Sequence, residues 1–299
     1  MIPSSVHKPV LLNEVINLLN PKPGEFFIDG TLGGGGHARE IIKKIFPNGK
    51  FLGVDLDTSA IQRFEKETVG RSGINLVCGN YFDLPNILER KALGRADGIF
   101  LDLGMSSDEL ESSGRGFSFN PQAYDEPLDM RYDLKSRITA ANILNDFREE
   151  ELSDIFQNYG EERHLKKIAR VIVEARKKNK FRKVSDLIQV ILSVAPRFRG
   201  QRTHPATKVF QALRIAVNAE LDNLEGVLKN IDRILKSNGR VAIISFHSLE
   251  DRLVKKRFKN FVTNGLAALL NKKPIKASRE EIKNNPRSRS AKLRVIKFN

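Results

Sequence analysis

The sequence predicts an α/β fold in which a Rossmann-like parallel sheet carries an inserted, all-helical subdomain. Strand-like apolar runs alternate with helix-like runs through the first 105 of the 299 residues. The fourth and fifth strand-like runs are then separated by more than 130 residues, where one crossover connection needs about a dozen. Four consecutive glycines follow the first strand directly, which is typical of a ligand-binding turn in such sheets.

Five strands are predicted, and each is a short apolar run bounded by turn residues. They are "EFFIDG" (25–30), "KFLGVDLD" (50–57), "INLVCGN" (74–80), "ADGIFLDLG" (96–104) and "GRVAIISFHS" (239–248). Helical patterns fill the first three gaps at 36–46, 59–69 and 84–93, which favours right-handed βαβ units. Ligands of such sheets bind beyond the carboxyl ends of the strands, and three of those ends carry Asp29, Asp55 and Asp102.

The long gap predicts an insertion with a small core of its own. Helical patterns at 140–160, 164–179 and 184–195 precede a longer one at 206–239 that returns the chain to the sheet. We therefore expect a discontinuous sheet domain, 1–105 with 206–299, and a helical subdomain for substrate recognition over 106–205. Residues 271–291 are expected to be loop-like, and the closing "KLRVIKFN" is expected to form an edge strand.

The net charge of +15 is concentrated in two blocks. Residues 163–214 and 252–299 each carry 15 Lys and Arg against 2 Asp and Glu, whereas residues 101–162 carry 5 against 15. Blocks of one sign favour a polyanionic partner such as nucleic acid, with solubilising charge as the alternative.

Cysteine and histidine usage narrows the class of protein further. The single cysteine, Cys78, excludes an internal disulfide framework and fits a reducing compartment. No leader-like or membrane-spanning stretch is recognised, so a cytoplasmic protein is expected. The five histidines are dispersed without zinc-ligand spacing, so no metal site is expected.

Three ligands compete for the glycine turn in "FIDGTLGGGGHARE" (27–40). A nucleoside triphosphate is disfavoured because Lys and Ser or Thr should follow the last glycine, where His37 and Ala38 stand. A dinucleotide fingerprint can be threaded through the glycines, with Asp55 about twenty residues on. Asp29 weighs against a dinucleotide, since a carboxylate before the turn repels a diphosphate and attracts an amino group or a sulfonium. S-adenosylmethionine is therefore favoured over NAD.

In this interpretation each part of S-adenosylmethionine has a partner in the chain. The backbone of Gly34–Gly36 lets the amino-acid part lie close, and Gly35 is expected to be a glycine for that approach. Asp55 accepts from the two ribose hydroxyls, and Tyr81 or Phe82 stacks on adenine. Ordinary turn and capping roles are the alternative for either carboxylate alone.

Nine stretches of the chain resemble the bacterial ribosomal RNA small subunit methyltransferase H family. They are "HKPVLLNEV" (7–15), "IDGTLGGGGH" (28–37), "LDLGMSS" (101–107), "RGFSF" (115–119), "PLDMR" (127–131), "YGEER" (159–163), "HPATKVFQALRI" (204–215), "ISFHSLEDR" (244–252) and "NPRSRSAKLR" (285–294). The resemblance covers nearly the whole chain, and "SFHSLEDR" and "HPATKVFQALRI" are far more specific than the glycines.

The resemblance implies a class I methyltransferase sheet, S-adenosylmethionine as cofactor, and methylation of the 4-amino group of a cytidine in the decoding region of small-subunit ribosomal RNA. It places the cofactor contacts at Gly35, Gly36, His37, Asp55, an aromatic near Tyr81, Asp102 and Glu109. At Glu109 the family typically has Gln, in "SSPQL" where this chain reads "SSDEL", so a contact made there by an amide does not carry over.

Two residues are candidates to border the reaction centre. The cytosine 4-amino nitrogen is a poor nucleophile because its lone pair is delocalised into the ring, so an acceptor must orient the amine. Asp102 is the first candidate, as acceptor for the amine or for the cofactor, with turn capping as its alternative. His247 is the second, and a hydrogen-bonded turn histidine is an equal alternative. Glu250 and Asp251 are expected to cap the next helix.

The two basic blocks supply the candidate RNA contacts. These are Arg176, Lys177, Lys178, Arg199, Arg202, Lys255, Lys256, Arg287 and Arg289. Phe181, Phe198 and Phe258 are interleaved with them as candidates for base stacking, with core packing as the alternative. The expected partner is small-subunit ribosomal RNA within the 30S subunit, and a homodimer is left open. A DNA amino-methyltransferase and a non-enzymatic RNA-binding assembly protein are the two competing hypotheses.

Overall fold

The computed structural model describes residues 8–104, 113–161, 164–196 and 204–299. The chain divides into two compact units by its internal contacts. Met1–Ser106 with Leu221–Asn299 form one, here called the sheet unit, and Ser107–Glu220 form the other, called the helical unit. Among the described residues, no helix is both long enough and apolar enough to cross a membrane.

The sheet unit contains one seven-stranded sheet in the order β3-β2-β1-β4-β5-β7-β6. Its strands are β1 (Phe26–Asp29), β2 (Lys50–Asp55), β3 (Ile74–Cys78), β4 (Ala96–Asp102), β5 (Leu235–Ser245), β6 (Ala267–Leu269) and β7 (Lys292–Phe298). The first five strands are parallel to one another, and β7 is antiparallel to both β5 and β6. The Rossmann-like sheet of the class I methyltransferases is thereby confirmed.

Thirteen helices accompany the strands within the described residues. They are α1 (Leu12–Leu19), α2 (Gly36–Ile45), α3 (Thr58–Glu67), α4 (Leu84–Arg90), α5 (Ala140–Asp146), α6 (Glu149–Ile155), α7 (Leu165–Lys178), α8 (Val184–Val194), α9 (Ala206–Asn218), α10 (Glu220–Lys229), α11 (Ile231–Ile234), α12 (Ser248–Thr263) and α13 (Arg279–Asn284). A π-helical turn, Phe156–Gly160, continues α6, and short 3-10 turns span Tyr81–Asp83, Pro121–Ala123 and Pro286–Ser290.

Apolar side chains cover both faces of the sheet. In β1, Phe27 packs in one core cluster and Ile28 in the other, and both are fully buried. Phe100 and Leu101 alternate in the same way in β4. Because consecutive strand residues point to opposite faces, the continuous apolar runs of the sequence are what a parallel sheet covered on both sides requires.

The end of the chain corrects two expectations. β7 is an interior strand, because β6 pairs with its outer side and forms the edge. Residues 271–291 are not simply loop-like, since they include α13 and the Pro286–Ser290 turn. Asn271 holds the start of this stretch through its side chain, which accepts from Val295 N at 2.7 Å and donates to the Leu293 carbonyl at 2.9 Å.

In the helical unit, α7 packs against α5, α6 and α8, and α9 packs against the same three helices. α9 is also tied to the turn after α6, since Gln211 Nε2 donates to the Tyr159 carbonyl at 2.9 Å. The single long helix expected over 206–239 is broken at Ala219, which has a left-handed φ of 49°. Residues 206–220 therefore group with the helical unit, whereas the sequence assigned them to the sheet domain.

Candidate active site

Three carboxylates lie at one rim of the sheet. Asp29, Asp55 and Asp102 are the last residues of β1, β2 and β4, which are neighbours and run parallel. The carboxyl ends of parallel strands meet at the same edge of the sheet, and this edge is where such folds bind ligands. The structure thus brings together the three acids that the sequence singled out.

Asp29 is the most buried of the three, with 1% of its surface exposed. Its Oδ1 accepts from the Thr31 N–H at 3.1 Å. Burial raises the pKa of Asp29 to about 8, and the nearby charges of Asp102 and Asp55 add to that rise. In the absence of a cation, the protonated carboxyl is therefore favoured at neutral pH.

Asp102 is partly exposed at the end of β4. Burial is the main cause that raises its pKa to about 7, the Gly104 N–H opposes the rise, and the charge of Glu250 adds to it. The Gly104 N–H donates to Asp102 Oδ1 at 3.2 Å. A carboxyl with a pKa near neutrality can both accept a hydrogen bond and exchange a proton under working conditions.

Asp55 is held by the backbone on both of its oxygens. Oδ2 accepts from Gly33 N at 2.7 Å, and Oδ1 accepts from Asp57 N at 2.8 Å. Burial raises the pKa of Asp55, and these two hydrogen bonds oppose the rise. A carboxylate has about four acceptor positions, so each oxygen keeps capacity for one hydroxyl of a ribose diol.

The three rim carboxylates differ in the cations near them. Among the described residues, no cation is among the groups that shift the pKa of Asp29 or Asp102, whereas the charge of Arg63 on α3 lowers the pKa of Asp55. Buried carboxylates are normally paired, so these acids fit a ligand that brings a positive charge. S-adenosylmethionine carries a sulfonium and an ammonium group and a ribose diol, which matches this donor set.

The glycine turn is only partly what the sequence suggested. A Cβ added at Gly33 would meet nothing closer than the Thr31 carbonyl oxygen at 3.8 Å, so there is room for a side chain, but the backbone has a left-handed φ of 48°. At Gly35 an added Cβ would lie 2.5 Å from the Phe64 ring, and the backbone has a left-handed φ of 71°. The left-handed turn and the packing on Phe64 therefore require a glycine at position 35, and the approach of a cofactor to its backbone stays a prediction.

The other two glycines of the run are held by their neighbours. The Gly34 carbonyl accepts from Arg39 Nη1 at 2.9 Å. Gly36 opens α2 and lies against Pro9, which an added Cβ would approach to 3.0 Å. The first-turn N–H groups of α2 have no acceptor within the helix, so a carboxylate of a ligand can bind there through the backbone.

The ring of His37 is used inside the protein. It is 5% exposed, Nε2 lies 3.0 Å from the Val10 carbonyl, and the ring centroid lies 4.3 Å from that of Phe100. Because a carbonyl can only accept, Nε2 carries the proton in this hydrogen bond. The imidazole thus ties the start of α2 to the N-terminal segment, and the cofactor contact expected at His37 stays a prediction.

The two candidate aromatics after β3 point to different neighbours. A Cβ added at Gly30, at the end of β1, would lie 3.1 Å from the Cβ of Tyr81. The Phe82 ring instead lies over Gly226 of α10, 2.2 Å from an added Cβ there, and 48% of Phe82 is exposed. Of the two, Tyr81 is the one next to the carboxylate rim.

His247 and Glu250 form the start of α12. His247 is the N-cap, and its Nδ1 accepts from Glu250 N at 3.4 Å. Glu250 is buried, and its Oε2 accepts from Phe246 N at 2.8 Å and from His247 N at 3.2 Å. Glu250 caps the helix as expected. Asp251 also lies in the first turn of α12, and Lys292 and Arg294 bind its carboxylate at 3.0 and 2.7 Å.

The candidate RNA contacts of the helical unit differ in availability. Arg176 Nη1 donates to the carbonyls of Leu144 and Phe147 at 2.9 and 2.6 Å, so its guanidinium closes the end of α5. Lys177 pairs with Glu174 at 2.8 Å on the exposed face of α7, and Lys178 is exposed. Arg176 is accordingly a structural residue, and its prediction as a phosphate contact is corrected.

Other candidate contacts lie in the sheet unit or outside the described residues. Lys255 and Lys256 are exposed on α12, Arg289 is exposed, and Arg287 is partly buried. The interleaved Phe181 and Phe258 are 3% and 1% exposed, so both are core residues rather than stacking surfaces. The positions that lie outside the described residues are Glu109, Arg199, Arg202 and Phe198.

Sequence reasoning missed Thr31. Its Oγ1 accepts the Asp102 N–H at 2.7 Å, and its side chain also hydrogen-bonds the Asp29 carboxyl. The spacing of Asp29 and Thr31 indicates a local turn in which an Asp side chain bonds the backbone two residues on. The contact with Asp102 spans 71 positions and depends on the β1–β4 pairing, which the sequence does not specify.

Comparisons with known proteins identify the family of this chain. The model of the MraW methylase family matches residues 4–299. A ribosomal RNA small subunit methyltransferase H from Dictyoglomus thermophilum is 49% identical over 97% of this chain and 96% of its own. The protein of that name from Coprothermobacter proteolyticus is 45% identical over 97% of this chain and 95% of its own.

The matches among solved structures are more distant. Aeropyrum pernix fibrillarin with natively bound S-adenosyl-L-methionine has a TM-score of 0.41 at 10% identity, over 92% of this chain and 67% of that one. An rRNA methylase from Streptococcus thermophilus has a TM-score of 0.43 at 10% identity, over 100% and 98% of the two chains.

The family assignment depends on the sequence comparisons, since the family model spans almost the whole chain and relatives share nearly half of its residues. The chain belongs to the MraW methylase family, and it is an S-adenosylmethionine-dependent methyltransferase.

Proposed function

We propose that this enzyme methylates the exocyclic 4-amino group of a cytidine in the decoding region of small-subunit ribosomal RNA. The names of its curated relatives supply the substrate class, and the family resemblance of its motifs supplies the base and the atom. The observation that carries the proposal is the rim of three carboxylates whose pKa values are raised by burial, of which Asp29 and Asp102 have no cation among the described groups that shift their pKa.

We assign the cofactor contacts from the geometry of the rim. Asp55 accepts from the two ribose hydroxyls through the acceptor capacity that Gly33 and Asp57 leave unused. Tyr81, beside Gly30, stacks on adenine. Asp29 faces the positively charged end of the cofactor, where its ionised form is stabilised by that charge. The backbone at the start of α2 receives the carboxylate of the amino-acid part.

When bound, S-adenosylmethionine supplies a methyl group on a positively charged sulfur, which makes that carbon strongly electrophilic. The protein has to orient the amine and remove one proton from it. Asp102, at the end of β4, accepts a hydrogen bond from the 4-amino group and so directs the nitrogen lone pair. Its pKa of about 7 suits a group that then takes up the proton released as the new N–C bond forms.

The substrate side of the proposal comes from the charge pattern. The exposed lysines of α7 and α12 and Arg289 are available for phosphate contacts, which make binding salt-dependent. A base that undergoes chemistry has to leave its stack, so we expect the target cytidine to be single-stranded or everted when it reaches Asp102. His247 remains a candidate base contact in addition to its role as the N-cap of α12.

The test is transfer of a labelled methyl group to purified substrates. Small subunits that lack the modification, the same subunits already methylated, and duplex DNA are each incubated with enzyme and labelled cofactor, then digested to nucleosides. The proposal expects label only with the unmodified subunits and only in N4-methylcytidine. Label in DNA would favour the DNA methyltransferase, label in another nucleoside would refute the cytidine 4-amino assignment, and no transfer despite cofactor binding would favour an assembly protein.

A further inference from the structure

The Thr31 hydroxyl takes the role of a backbone carbonyl at the end of the hydrogen-bond ladder between β1 and β4. The last backbone rung between these strands runs from Gly30 N to the Phe100 carbonyl at 3.0 Å. In a parallel ladder the next rung would bring the Asp102 N–H to the Gly30 carbonyl. Instead, Asp102 N donates to Thr31 Oγ1 at 2.7 Å.

The cause is the direction that the chain takes after β1. Leu32 N donates to the Val54 carbonyl of β2 at 3.0 Å, so the backbone turns away from β4 at this point. A buried N–H without an acceptor is costly, and the Thr31 hydroxyl supplies the acceptor that the backbone no longer provides.

Thr31 also acts on the second acid of the rim, Asp29. Its Oγ1 accepts from Asp102 N, and hydrogen bonding by the Thr31 side chain lowers the pKa of Asp29. Thr31 N also donates to Asp29 Oδ1 at 3.1 Å. One residue therefore fixes the backbone that carries Asp102 and stabilises the ionised form of Asp29.

We propose that Thr31 is a positioning residue for methyl transfer, whose hydroxyl sets the Asp102 carboxylate at the reaction centre and holds Asp29 ready for the cationic cofactor. This inference rests on the proposed function, because it takes Asp102 as the amine acceptor. It extends that function by assigning to one residue an effect on both Asp102 and Asp29.

The charged groups around this link define what should change when it is removed. Asp29 faces Asp102 at the end of β4 and Asp55 at the end of β2, and both charges raise its pKa. Asp102 faces Glu250 at the start of α12, whose charge raises its pKa. The Thr31 hydrogen bonds act in the opposite direction on Asp29, so their loss should shift its ionisation to higher pH.

Two variants separate the hydroxyl from the shape of the side chain. Thr31→Val keeps the branched shape and removes the hydroxyl, whereas Thr31→Ser keeps the hydroxyl and removes the methyl group. We expect Thr31→Val to lower kcat by about tenfold or more, the scale of one lost hydrogen bond, with KM for the small subunit within about threefold of wild type. Thr31→Ser should restore kcat to within about threefold of wild type on the same basis.

A second readout does not depend on methyl transfer. Proton release on binding of S-adenosylmethionine is counted by calorimetry in two buffers of different ionisation enthalpy, from pH 6 to 9. We expect the pH at which half a proton is released to rise by about one unit in Thr31→Val, because a hydrogen bond to the charged form is lost, and to stay near the wild-type value in Thr31→Ser. A role in packing alone would move thermal stability and leave this midpoint unchanged.

The two readouts distinguish the possible failures. If wild-type enzyme transfers no methyl group to small subunits, the proposed function fails, and the proton-release series still decides whether Thr31 acts on Asp29. If the wild type is active but Thr31→Val and Thr31→Ser match it in kcat and midpoint, the inference about Thr31 is overturned. Equal loss of kcat in both variants with an unchanged midpoint would also overturn it, by showing that shape rather than the hydroxyl matters.

Discussion

The carboxylates of the sheet rim and those of the helical unit are neutralised in different ways. In the helical unit, burial alone would raise the pKa of Asp129, but two 2.7 Å hydrogen bonds and the charge of Arg131 lower it below its ordinary value. At the rim, burial raises the pKa of Asp29 to about 8 because no such partner is present among the described residues. The difference separates acids that hold the fold together from acids kept for a ligand.

The largest expected effect comes from breaking the ion pair of Arg214 and Glu220 in the helical unit. They form two hydrogen bonds of 2.7 and 2.9 Å, and their side chains are 16% and 11% exposed. Arg214→Met would leave a mostly buried carboxylate unpaired, which we expect to cost about 3 kcal/mol of unfolding free energy. Denaturant unfolding measures it, and adding Glu220→Gln should recover part of the loss. Equal stability of wild type and Arg214→Met would contradict the structural role of the pair.

Asp55→Ala tests a carboxylate of the rim, where we expect the loss in cofactor binding rather than in stability. It removes the proposed acceptor of the ribose hydroxyls, and we expect about 1.5–3 kcal/mol of cofactor binding to be lost, the scale of hydrogen bonds to a charged group. Calorimetry with S-adenosylmethionine gives the value, and Asp57→Ala, two residues further on, is the control for loss of a carboxylate that caps α3 in the same turn. Cofactor affinity within twofold of wild type would remove Asp55 from the site.

Asp29→Asn should stabilise the fold while it weakens cofactor binding. Folded wild type keeps the proton on Asp29 up to a pKa of about 8, whereas the unfolded chain loses it near pH 4. Between these values the folded state binds more protons, so its stability falls as pH rises. Asn has no such loss, and we expect a gain of about 1–2 kcal/mol at pH 8 and almost none at pH 4. Melting curves across this range would contradict the account if the variant were less stable at pH 8.

The smallest expected effect concerns the basic residues of α7 and the salt dependence of substrate binding. Lys177→Ala with Lys178→Ala should lower the slope of log affinity for the small subunit against log salt by up to about 2. Arg176→Gln should lower the melting temperature instead, because its guanidinium holds the Leu144 and Phe147 carbonyls. An unchanged slope in the double variant would leave these lysines as solubilising charge.

The sheet could be predicted because parallel strands that are buried on both faces form continuous apolar runs in the sequence. The runs around Phe27, Phe51 and Phe100 are continuous and apolar, and turn residues bound each of them. The acids that end β1, β2 and β4 follow from those boundaries alone. The interior place of β7 was not predictable, because its alternating pattern also fits an edge strand, and only the distant β6 decides between the two.

The site was less predictable wherever a side chain meets a residue far along the chain. An added Cβ at Gly35 would meet Phe64, and the side chains of His37 and Arg176 bind the Val10 carbonyl and the end of α5, so three residues that fit a ligand pattern also serve the fold. Thr31 was missed for the converse reason, since its hydroxyl acts across the β1–β4 pair. Local sequence records residue types and spacing, and it does not record which long-range neighbour a polar side chain meets.

The central claim is that Asp29 and Asp102 have no protein cation beside them among the described residues, so that a cationic cofactor can bind there. Its most direct test is the pH dependence of affinity for S-adenosylmethionine beside S-adenosylhomocysteine, which lacks the sulfonium charge, measured from pH 6 to 9 with wild type and Asp29→Asn. The account predicts that wild-type affinity for S-adenosylmethionine rises with pH as Asp29 and Asp102 ionise, more steeply than for S-adenosylhomocysteine, and that Asp29→Asn flattens the rise. Affinities that do not change with pH, or that change equally for the two ligands in both proteins, would contradict it.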